Sequence, residues 1–77
     1  MNTTIILYAL RYAMGRQNQE LPNVSKFIQA NMHDISCGDL QEILEELKAY
    51  YSEHTDDKHY LEATILSVAI KRELYGE

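Results

Sequence analysis

The chain has 77 residues, a formal net charge of −5 and one cysteine. A chain of that size makes one domain, residues 1–77, and buries only about 60–65% of the surface its unfolded form exposes, so its margin of stability is thin. The composition excludes an intrachain disulfide framework and fits a reducing compartment. Its seven basic residues, scattered apart from Lys71–Arg72, offer no stripe for binding nucleic acid directly.

The first apolar run opens at Ile5 with no Lys or Arg before it and no A-x-A-type site after it, so no signal peptide is expected. The run is far shorter than the ~20 residues that span a bilayer, and no membrane partner is expected. From Ile5 to Met14 the only side chain that is neither apolar nor aromatic is Arg11. At about 100° per residue, Ile5, Ala9, Leu10, Tyr12, Ala13 and Met14 cover the whole circumference of a helix. A helix apolar all round must be covered all round. Gly15 stands where a C-cap would fall.

Gln17 to Leu21 reads as a polar connector, and Pro22 as the first turn of a second helix. In that helix Val24, Phe27, Ile28 and Asn31–Met32 keep amphipathic spacing. His33 to Ser36 breaks the pattern. Ser36 with Asp39 reads as an N-cap with an acidic residue at N3. Leu40, Ile43, Leu44, Leu47, Tyr50 and Tyr51 then share one arc of about 120° on a third helix. Ser52 to Asp57 is a polar break, and a fourth helix is predicted from about Asp57 to Leu74, with Gly76 beyond its end. That helix has two apolar sides: Leu61, Ile65, Val68 and Ala69 on one, and Tyr60, Ala63, Leu66, Ile70 and Leu74 on the other. No segment alternates with period two. The pattern predicts an all-α fold, a small bundle of four short helices associating through the first and last of them.

Four groups of residues carry candidate chemistry. His33, Cys37, His54 and His59 loosely imitate a structural zinc site, but His33 and Cys37 straddle a helix break and His54 and His59 lie off an i,i+4 face. Three surface histidines and a packed cysteine are the better reading. Cys37 near a helix N-terminus, four residues after His33, suggests a lowered thiol pKa. Four short helices, however, leave little room for a pocket of the usual ~300 Å³. No catalytic residue, cofactor site or metal site is assigned. Asp39, Glu42, Glu45, Glu46 and Glu53 form an acidic arc opposite the apolar stripe of the third helix. It is either a solvated face or a surface that imitates DNA phosphates. Arg11 must find an acceptor. A carboxylate of the third or fourth helix, such as Glu42 or Glu73, is expected to provide one internally; otherwise Arg11, Tyr12 and Arg16 are presented to another macromolecule, as residue types common in interface hot spots.

The segment Leu7–Arg16, LYALRYAMGR, resembles the opening helix of small phage and prophage proteins, (A)LRYA-[L/M]-GR, which continue as short acidic helical chains. It covers about one seventh of the 77 residues. The resemblance implies a phage-encoded accessory protein in the cytoplasm of a bacterial host, one that blocks a host enzyme or a defence system such as a restriction or CRISPR complex. It implies no catalytic residue.

Together these readings predict a cytoplasmic, non-enzymatic protein–protein interaction module. It is expected to form a homodimer and to bind and inhibit a host protein through Tyr8, Arg11, Tyr12, Arg16, Glu42, Glu45 and Glu46. The alternative is an acidic nucleic-acid mimic that occupies the DNA- or RNA-binding groove of a host enzyme or of a CRISPR or restriction complex.

Overall fold

Four helices follow one another in this computed structural model, which describes residues 3–16 and 20–76, with the side chains of 15 and 16 outside the description. They are α1 (Thr3–Arg16), α2 (Glu20–Ala30), α3 (Cys37–Tyr51) and α4 (Tyr60–Tyr75), with one 3₁₀ turn, Met32–Asp34, between α2 and α3. No strand occurs among the described residues, and the all-α bundle expected from periodicity is the fold.

The helix boundaries have local causes. Ser36 is the N-cap of α3: its Oγ accepts from the Asp39 N–H at 3.2 Å, satisfying a donor that the first turn leaves unpaired. Gly76 ends α4 in the left-handed region at φ 71° and donates to the Arg72 carbonyl at 2.8 Å, a conformation that costs glycine no Cβ clash. Pro22 is the third residue of α2 rather than the first; it still falls in the turn whose N–H groups have no helical acceptor. The start of α4 differs more from expectation. Asp57 does not open the helix, because its Oδ1 accepts from the His59 N–H at 2.8 Å while its carbonyl accepts from the Tyr60 N–H at 3.0 Å. Short aspartate side chains compete with helix in this way, and α4 begins three residues later. Helix α1 runs through Gly15 to Arg16, so Gly15 does not stand beyond its end, and the expected connector from Gln17 lies largely outside the described residues.

The core is one cluster. Leu10 and Ala13 of α1, Leu21 and Ile28 of α2, Leu40, Ile43, Leu44 and Leu47 of α3, and Leu66 and Ile70 of α4 are almost wholly buried in it. Ser25 of α2 is buried with them and accepts from Gln29 Nε2 at 3.0 Å. The radius of gyration is 11.4 Å, close to the ~11.5 Å of a compact chain of this length.

The main packing contacts are α3 on α4, α1 on α2, α2 on α4 and α1 on α3. These four pairings close a ring in the order α1, α2, α4, α3, which puts α1 and α4 at diagonal corners. Helices α1 and α3 run parallel: Thr3 Oγ1 donates to Asp39 Oδ2 at 2.6 Å near one end, and Arg11 meets Glu46 further along both helices. Helices α3 and α4 run antiparallel, with the rings of Tyr51 and Tyr60 at 6.3 Å near the turn and Tyr75 donating to Gln41 Oε1 at 3.3 Å near the other end.

Candidate functional site

Each of the two corner helices buries one of its apolar faces and leaves the other in solvent. On α1, Ile6, Leu7, Leu10, Ala13 and Met14 face the core, while Ile5 (67% exposed), Tyr8 (75%) and Tyr12 stay outside. On α4, Ala63, Leu66 and Ile70 face the core, while Leu61 (70% exposed), Ile65, Val68 and Tyr75 stay outside. Phe27 of α2 is exposed as well, although its spacing placed it among the inward residues. Because α1 and α4 are diagonal, their solvent faces point to opposite sides of the molecule. Beside the α1 face, Ile5, Tyr8, Ala9 and Tyr12 join Val24 and Glu20 of α2 around a groove of about 350 Å³.

Arg11 finds its acceptor on the third helix, at a carboxylate other than the two named as examples. Its Nη2 lies 2.6 Å from Glu46 Oε1, and its side chain is still 58% exposed. The partner is therefore neither Glu42 nor Glu73. Glu42 adds only a weaker attraction, after the hydrogen bond and charge of Glu46, both of which hold the guanidinium pKa up. The hydrogen bond from Arg11 in turn holds the Glu46 carboxyl below its ordinary range. The pair lies in a groove of about 380 Å³ between α1 and α3, beside Met14, Tyr50 and Glu53. Arg16, proposed beside Arg11, has its side chain outside the described residues.

The acidic arc of α3 is split between tasks. Glu42, Glu45 and Glu53 are exposed. Glu46 is neutralised by Arg11, and Asp39 accepts from Thr3. The hydrogen bonds of Thr3 and then Ser36 hold the Asp39 carboxyl below its usual value. Glu73 pairs instead with His33 Nδ1 of the 3₁₀ turn, at 3.0 Å.

The histidine and cysteine expectations need correction. Cys37, the first residue of α3, is exposed rather than packed. His59 is buried rather than on the surface, drawn in by the turn that Asp57 closes. His54 is partly covered: it stacks on Tyr50 with centroids 4.0 Å apart and donates from Nδ1 to the Tyr50 carbonyl at 2.7 Å. Among the described residues no group of three His, Cys, Asp or Glu side chains could hold a metal ion, and no helix is long and apolar enough to cross a membrane.

Two features had no forecast. The buried Tyr51 hydroxyl, Asp57 Oδ2 and His59 Nε2 have no hydrogen-bond partner among the described residues. Burial, followed by the nearby Asp57 charge and Tyr50, pushes the Tyr51 pKa up, so its hydroxyl stays protonated. The second feature is the size of the surface grooves. One, between α3 and α4, measures about 490 Å³, more than the little room expected of four short helices. Short hydroxyl side chains, Ser52, Thr55, Thr64 and Ser67, form part of its lining.

The chain matches no protein-family model, no curated protein and no solved structure.

Proposed function

We propose that the protein is a non-enzymatic interaction module of phage type, acting in the cytoplasm of a bacterial host, where it binds and inhibits a host protein. The observation that carries this reading is the pair of exposed apolar faces on opposite corners of the bundle. Each leucine-sized group left wet forfeits roughly 1.5–3 kcal/mol of burial, and covering it by association recovers that term. One twofold contact covers one corner and leaves the other available.

The two faces differ in character. Leu61, Ile65 and Val68 make an aliphatic seam at i, i+4 and i+7, the type that self-pairing helices share. Tyr8 and Tyr12 beside the half-exposed Arg11 have the composition of a hot spot for a different protein. We assign the seam to a second copy and the α1 face to the host protein. The mimic reading is less favoured, because Arg11 cancels Glu46 within the acidic arc.

Light scattering tests the first assignment. A particle of twice the 9.0 kDa chain mass, reduced to one chain by Leu61→Ser with Ile65→Ser, is expected; a monomer at high concentration overturns it. Affinity capture from bacterial lysate tests the second. One protein retained by the parent chain, lost with Tyr8→Ser and Ile5→Ser, and insensitive to salt is expected. Capture abolished by charge reversal at Glu42 and Glu45, with steep salt dependence, would favour the mimic instead.

A further inference from the structure

The groove between α3 and α4 is unlike the rest of this acidic molecule. Its only charged lining residues are Lys48 and Lys71, in a chain whose net charge is −5. Two further grooves each contain acidic side chains, Glu20 in one and Glu46 with Glu53 in the other. Neither ammonium group makes an ion pair or hydrogen bond among the described residues. An unpaired ammonium on an acidic protein would gain from any carboxylate in reach, yet none lines this groove.

The rest of the lining includes apolar and aromatic side chains, Leu47, Val68 and the half-exposed ring of Tyr60. Tyr51 is also part of the lining, and its hydroxyl is a buried, protonated donor with no acceptor. Buried polar groups are rarely left so. The groove's volume, about 490 Å³, falls within the ~300–1,000 Å³ of small-molecule sites, which combine apolar walls with a few placed polar groups.

We propose that the α3–α4 groove binds a small phosphate monoester carried on an aromatic or apolar body. A phosphate monoester carries roughly −1.5 to −2 charges near neutral pH, a match for two ammonium groups on flexible stems, while its body lies along the apolar walls of the groove. Carboxylates carry half that charge and match one lysine only. The site is independent of the protein-binding faces: it opens toward α3, a quarter turn around α4 from the Leu61–Ile65–Val68 seam, and shares only Val68 with it.

The test is a titration of the full, isotope-labelled chain with phenyl phosphate, followed by amide shifts in solution NMR. Inorganic phosphate and benzyl alcohol are separate arms that supply the charge alone and the body alone. Saturable shifts centred on Lys48, Tyr60, Thr64 and Lys71 are expected, with each control arm at least about tenfold weaker. Lys48→Gln with Lys71→Gln should weaken phenyl phosphate by at least about tenfold and leave the remaining spectrum in place, whereas Lys26→Gln should change nothing. Inorganic phosphate binding as tightly would reduce the site to surface charge. Benzyl alcohol binding as tightly would reduce it to an apolar patch. Shifts spread over Lys26 and Lys58, or no saturation at all, would also overturn the proposal. None of these results bears on whether the α1 face captures a host protein.

Discussion

Arg11 of α1 and Glu46 of α3 meet at 2.6 Å across two parallel helices, and they do so at the protein surface. The pair therefore fixes register more than it adds stability, since exposed ion pairs are screened by water and salt. Arg11→Ala and Glu46→Ala, and the two together, should each keep full helical circular dichroism. The small fall in Tm caused by either single change should vanish in about 1 M salt, where the Debye length is about 3 Å. A large loss that persists in salt would show that the guanidinium supports the core by packing rather than by charge.

The same pair gives stability a pH dependence of known sign. The Glu46 and Asp39 carboxyls are held below their ordinary values of 4.5 and 3.8. A carboxylate depressed in the folded state contributes stability above its unfolded pKa and loses it as pH falls through its folded pKa. Melting temperature should thus stay level from neutral pH down to about 5 and fall steadily below about 4.5. Glu46→Gln should flatten part of that fall, because it removes the group that must otherwise be protonated. An equally steep fall in the variant would place the acid sensitivity elsewhere.

Periodicity made the four helices legible, as well as the cap at Ser36 and the two-sided character of α1 and α4. Spacing alone shows that Leu61 and Leu66 lie on different faces. It does not show which face wins the core, because that depends on where α2 and α3 pack. The acceptor of Arg11 was hidden for a similar reason. Glu42 and Glu46 share one helix face, one turn apart, and only the axial offset between α1 and α3, set by Thr3 against Asp39, selects Glu46. The α3–α4 groove was least legible, since it depends on what two helices leave unfilled.

Within α4 the two faces make opposite predictions from the same substitution. Leu66 is 0% exposed in the core, so Leu66→Ala should cost about 2–5 kcal/mol through lost burial and a residual cavity. In a domain this small that is a large share of the total, and urea titration should show a much lower midpoint or an unfolded chain. Leu61→Ala should leave the stability of the dilute monomer within about 0.5 kcal/mol, while lowering it at concentrations where two copies pair. A loss at Leu61 that does not depend on concentration would mean that its side chain is covered within one chain.

Tyr51 separates stability from binding most sharply. Its ring packs edge-on against Tyr50 with centroids at 4.8 Å and lines the lysine groove, while its buried hydroxyl has no acceptor. Removing a buried group that has exchanged water for nothing relieves a desolvation cost of about 1–3 kcal/mol, less whatever packing the oxygen itself provides. Tyr51→Phe should accordingly raise stability by about 1 kcal/mol in urea. If the unused donor is retained for a ligand, the same variant should bind phenyl phosphate more weakly, the pattern expected where function holds a residue away from its most stable choice. A fall in stability of more than about 1 kcal/mol would instead show that the hydroxyl is satisfied by a bridging buried water, the ordinary partner of such groups.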